Sequence, residues 1–218
     1  MAAERAARAA DPVLAERVAA VKAFQHARFA HTYADLLADK RYAKAATFFL
    51  EDLYGPTDFS ERDTQFARIV PALVRMFPRE IVGTVADLGA LHALSERLDS
   101  TMARALQTTS IDGHNYGQAW RTVAEPEARE QQIALMLAVG TALDKYTRNP
   151  MLRHSLRLMR SPAKAAGMGA LQHFLETGFD TFRAMDGAQE FLRTIAQRER
   201  ALAVRLFAGG GADDPAPG

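Results

Sequence analysis

Three groups of residues have the types and spacing to do chemistry. The first is Glu51-Asp52, adjacent carboxylates within Phe48-Phe49-Leu50-Glu51-Asp52-Leu53-Tyr54-Gly55-Pro56. A carboxylate held among aromatic rings loses hydration, which raises its pKa and suits it to acid–base work. The plainer reading, and the preferred one, puts both acids in water at a helix end. Gly55 is then a left-handed cap and Pro56 forbids continuation. The second group is Arg153, Arg157 and Arg160, which fall on one helical face with Arg148 just upstream. Arginine forks match phosphate and carboxylate oxygens, making this face a candidate anion site. A solvated side of an amphipathic helix accounts for it more simply.

The third group consists of two triplets, His92, Glu96 and Asp99, and His173, Glu176 and Asp180. A histidine with two acids at helical spacing could feed a metal centre between helices. The Glu-x-x-His and His-Glu-x-x-His pairs of known helical metal sites are absent. The later triplet points away from Met168, Leu171 and Leu175 and is expected in water. His92 and Asp99 border the stripe of Leu88, Leu91 and Leu98. His92 is therefore the histidine to examine for a buried role, as a hydrogen-bonded core residue ahead of a metal ligand. Haem lacks any attachment motif, and no other cofactor is implied.

The elements that must position these residues are helices, because apolar residues recur every three or four positions almost throughout. Asp11 caps a first helix opening at Pro12, whose face runs from Leu14 through Val18, Val21, Phe29 and Tyr33 to Leu37. Tyr42, Ala45, Phe49 and Leu53 mark a second. Asp58 and Glu61 have capping-box spacing for a third, interrupted by Pro71, and Pro78 opens a fourth carrying Leu88 to Ala105. A loop spans 107–115. Helices follow from there to Val123, from Pro126 to Arg148, from Pro150 to Arg160 and from Ser161 to Phe182. The last opens at a second capping box, Asp186 and Gln189. Gly167-Met168-Gly169 reads as close packing inside a helix. The expectation is one all-α bundle of about eight helices over 11–207, with a flexible N-terminus at 1–10 and a disordered tail at 208–218.

Composition narrows the function. The 218 residues carry 27 basic against 26 acidic side chains, a balance that makes nucleic acid an unlikely partner. Without cysteine there is no disulfide, thiolate metal site or thiol nucleophile. No Gly-x-Ser-x-Gly turn or phosphate-cradling glycine loop occurs. No apolar run is long enough to cross a membrane and the N-terminus lacks a signal-peptide core, so the expected location is cytoplasmic.

The stretches FFLEDLYGPTDFSERD and LRHSLRLMRSPAKAAGMGALQHFLETGFDTFRAM resemble an uncharacterised family of bacterial all-helical proteins, over most of residues 25 to 207. The resemblance implies an intact natural domain and brings no activity, cofactor or site residue with it. The favoured function is a non-enzymatic helical module that binds a protein or small ligand, with a homo-oligomer or a protein partner as the expected assembly. The alternatives are a metal- or haem-dependent enzyme or sensor around His92, and anion recognition by the arginine face.

Overall fold

The computed structural model describes residues 2–53, 64–65, 67–69 and 79–212. Its described residues form eleven α-helices and one π-helical turn, with no strand among them. They are α1 (Ala2–Ala10), α2 (Pro12–Thr32), α3 (Ala34–Ala38), α4 (Ala43–Phe48), α5 (Arg79–Leu106), α6 (Gly113–Val123), α7 (Pro126–Thr147), α8 (Pro150–Leu158), α9 (Arg160–Ala165), α10 (Gly169–Ala184) and α11 (Gln189–Phe207). The π turn, Phe49–Leu53, continues α4 directly. No described helix is long and apolar enough to cross a membrane. The capping box expected at Asp58, and Pro71 and Pro78, lie outside the described residues.

Local rules set most of the boundaries. Asp11 accepts from the Leu14 amide at 3.0 Å with Pro12 in the first turn, and Asn149 caps α8 through the Met151 amide at 3.0 Å. The helix count exceeds eight because long apolar patterns are cut by single residues. Tyr33 leaves helical geometry between α2 and α3, with φ −114° and ψ 23°. Gly167 does not pack inside a helix. At φ +70° it ends α9, and the Met168 amide reaches back to the Ala163 carbonyl in a Schellman closure. The expected loop at 107–115 ends three residues early, because Asp112 and Asn115 form a reciprocal capping box that opens α6.

Three further expectations are corrected by contacts between distant parts of the chain. Residues 2–10 are a helix rather than a flexible arm, held where Arg8 pairs with Glu96 of α5. The tail begins later than expected: the Ala212 amide bonds to the Gly113 carbonyl at 3.0 Å and Ala212 is buried, while 213–218 lie outside the described residues. Asp186 does not cap α11. It sits at φ +51°, and the amide of Ala188 is instead taken by Asp144 of α7 at 3.0 Å.

Helix α5 packs on α2, α6 and α7, and α7 in turn packs on α10 and α11. Their interior contains two apolar clusters. One gathers Phe29, Tyr33, Phe48, Phe49, Leu91, Ile133, Met136, Phe182, Phe191 and Ile195. The other gathers Leu14, Val18, Val21, Met102, Tyr116, Trp120, Leu202 and Leu206. Several helices contribute to both and change character between them. On α2 the interruption is Gln25 and Arg28, on α5 it is Glu96, Asp99 and Ser100, and on α11 it is Glu199. A polar layer thus crosses the bundle between two apolar halves.

Candidate ligand-binding site

The polar layer encloses a cavity of about 70 Å³, lined by Gln25, Arg28, Tyr116, Trp120, Arg129, Gln132 and Glu199 on the polar side and by Phe29, Phe49, Ile133, Met136 and Ile195 on the apolar side. Arg28 donates to Glu199 at 2.5 Å, and the Tyr33 hydroxyl donates to the same carboxylate at 2.7 Å. Gln25 donates from one nitrogen to Asp99 and to the Tyr116 hydroxyl, each at 3.2 Å. Gln132 donates to Ser95 at 2.8 Å.

Arg129 is treated differently. Its residue is 6% exposed, and its guanidinium lies over the Trp120 ring at 3.9 Å from the centroid. Its Nη1 makes one long bond to Gln132, at 3.4 Å, while Nη2 is buried with no partner among the described residues. The indole Nε1 of Trp120, a wall of the same cavity, also has none. Burial first of all lowers the Arg129 pKa, against raising contributions from Tyr116 and Asp99, yet a guanidinium stays charged in any protein. Two residues that line one small cavity therefore each carry a buried donor with no acceptor among the described residues, at a cost of about 1–3 kcal/mol apiece when unmatched.

Of the sequence-named acids, Glu96 and Asp99 both belong to this layer, although neither lines the cavity. Burial raises the Asp99 pKa, and Glu96 adds to the rise against lowering by Lys22, Arg129 and Gln25. A raised carboxyl binds its proton more tightly in the folded state, so its contribution to stability falls as pH rises above 3.8, the ordinary value. Asp99→Asn, which keeps an acceptor for Gln25, is expected to melt above wild type at pH 7. The difference should close below pH 3.8. Thermal scans across pH check this, and a lower melting point for Asp99→Asn at neutral pH would contradict it.

The other sequence candidates are placed elsewhere. Glu51 is exposed on the π turn, 3.4 Å from the His26 ring, and Asp52 is half-buried beside it. The motif's contribution to the cavity is Phe49. His92 is half-buried on α5, and no three His, Asp or Glu side chains among the described residues gather as a metal-ligand set. Arg153 pairs with Asp180 at 3.0 Å and Arg160 with Glu176 at 2.7 Å, leaving Arg157 exposed between them. The arginine face thus meets the acids of the second triplet. Its charge is largely matched within the chain.

Sequence reading missed Arg28, Arg129, Tyr116 and Glu199. A signal existed: each stands at core spacing within an apolar stripe, as Glu199 does between Ile195 and Leu202.

Fold and cavity together define an all-helical protein with a small, partly polar cavity between its helices. The chain belongs to the family of the domain of unknown function DUF8198, whose model matches residues 4–213. No curated protein and no solved structure matches it.

Proposed function

We propose that the protein is a helical binding module that takes a small anionic ligand in the cavity between α2, α6, α7 and α11, with Arg129 as its principal anchor. One observation carries this reading: Arg129 and Trp120 line one cavity, and Arg129 Nη2 and Trp120 Nε1 are buried donors with no acceptor among the described residues. A carboxylate or phosphate oxygen supplies the missing acceptors. It also supplies a counter-charge for a guanidinium that Asp99 meets only at longer range. The Glu199 carboxylate would repel such a ligand, but Arg28 and the Tyr33 hydroxyl already engage it.

Titration calorimetry with butyrate and with inorganic phosphate tests this. Arg129→Met keeps most of the stacking volume on Trp120 and removes the charge. It is expected to lose at least roughly 30-fold in affinity, the worth of one charge-assisted buried hydrogen bond. The ligand-free variant is expected to be no less stable than wild type, because an unmatched buried charge has gone. An arginine kept only for structure gives the opposite pair: unchanged binding and lower stability. Wild-type protein that binds neither anion would overturn the proposal.

A further inference from the structure

The polar cavity has an apolar neighbour. A second cavity of about 150 Å³ lies on its far side, walled by Phe48, Leu88, Val139, Leu143, Phe174 and other apolar groups. Its two hydroxyls, on Thr84 and Tyr146, are hydrogen-bonded to each other at 3.0 Å and present little to a polar ligand. An apolar lining of this kind with room for a benzene-sized group favours a hydrocarbon over water. Phe49 and Met136 line both cavities, so they form the partition between them. Met136 is unbranched and readily repacked. Phe49 is the first residue of the π turn, an irregularity found frequently at functional sites. A single helix, α7, floors the whole passage, from Arg129 in the polar cavity to Gly140 and Leu143 in the apolar one, roughly 16 Å apart between Arg129 and Gly140.

We infer that the ligand is an amphipathic acid, a fatty-acid-like molecule with its carboxylate at Arg129 and its hydrocarbon chain passing Phe49 and Met136 into the apolar cavity. The inference rests on the anion site proposed above and names the class of molecule that fills it. Charge at one end, an apolar volume at the other and a movable partition between them match a chain of medium to long length. They match neither a free small anion nor a neutral hydrocarbon as well.

The test compares dodecanoate, butyrate and dodecanol by calorimetry, on wild type, Arg129→Met and a variant with its tail site filled, Leu143→Trp. Dodecanoate is expected to bind wild type on the order of 100-fold more tightly than butyrate, as burial of several methylenes requires. Leu143→Trp is expected to erase that gain while leaving butyrate untouched. Leu88→Trp fills the same space from α5 and serves should Leu143→Trp fail to fold. Butyrate binding with no gain for dodecanoate overturns the amphipathic ligand and leaves the anion site standing. Dodecanol binding as tightly as dodecanoate, with no loss in Arg129→Met, overturns both.

Discussion

Glu96→Ala is expected to destabilise the protein by about 3–5 kcal/mol, a large part of what a domain of this size has. Glu96 is 6% exposed and takes charge-assisted hydrogen bonds from two cations on different helices, Arg8 of α1 and Lys22 of α2. Both cations are largely covered, and Arg8 Nη1 is already buried without a partner among the described residues. Removing the carboxylate therefore leaves two enclosed positive charges facing each other. The first consequence falls on α1, which Arg8–Glu96 ties to α5 together with the more exposed Arg104–Glu4 bridge. Proteolysis of Glu96→Ala is expected to begin within residues 2–10, and urea unfolding gives the global loss. A variant that loses under 1 kcal/mol would show that the cluster is solvated after all.

The pH dependence has a definite sign. Burial alone would raise the Glu96 pKa, but the hydrogen bonds and charges of Lys22 and Arg8 outweigh it and bring it below 4.5. A carboxyl lowered by folding contributes stability that is complete above its unfolded value and is lost as pH falls through the folded one. Wild type is expected to weaken in acid below about pH 4.5 more steeply than Glu96→Gln does. Asp99, one turn away on α5, contributes the reverse slope. Adjacent acids on one helix are thus driven in opposite directions, one by two cations and the other by burial.

Those opposed fates explain what could be read from the sequence and what could not. Helices were legible because their signal is local: apolar spacing, Asp11 with Pro12, and Asn149 with Pro150 all act within a turn or two. Caps supplied from a distance were invisible. Asp144 takes the amide before α11, and Gln65 takes the Leu171 amide at the start of α10 at 2.9 Å. No spacing rule links residues so far apart in the chain. The same limit hid the ordering of α1, since nothing near Arg8 announces Glu96.

The candidate site was legible only in part, for a related reason. Reading one helix at a time ranks acids and histidines by their angle to the apolar stripe. That procedure brought out Asp99, which is buried, and His92, which is half-buried. It could not register that α2, α5 and α11 each interrupt their stripes at one level of the bundle, with α6 and α7 supplying Tyr116 and Arg129 there. An isolated polar residue on an apolar face looks like noise. Several in register form a layer, and register between helices is a tertiary property. For the arginine face the limit ran the other way: its spacing was legible, but its partners on α10 come into view only with packing.

At the cavity itself the layer is supported by the Arg28–Glu199 pair, and Glu199→Ala is expected to cost about 3 kcal/mol. Both side chains line the cavity and are mostly enclosed. Burial would lower the Arg28 pKa, yet the charge and hydrogen bond of Glu199 raise it well above its ordinary value. Truncating Glu199 strands that guanidinium and also removes the acceptor of the Tyr33 hydroxyl. Replacing the pair together, as Arg28→Met with Glu199→Leu, is expected to recover most of the loss, because the cost lies in the unmatched charge more than in the missing bond. Tyr33 adds a second readout. Burial foremost, and then Glu199, raises its pKa, so the folded state keeps a proton that the unfolded chain gives up. Stability is therefore expected to fall as pH rises past about 10, the ordinary tyrosine value, and less steeply in Glu199→Ala. Urea titrations at neutral and alkaline pH measure both effects. Should the double variant prove as unstable as Glu199→Ala, the layer is held by geometry and not by charge pairing.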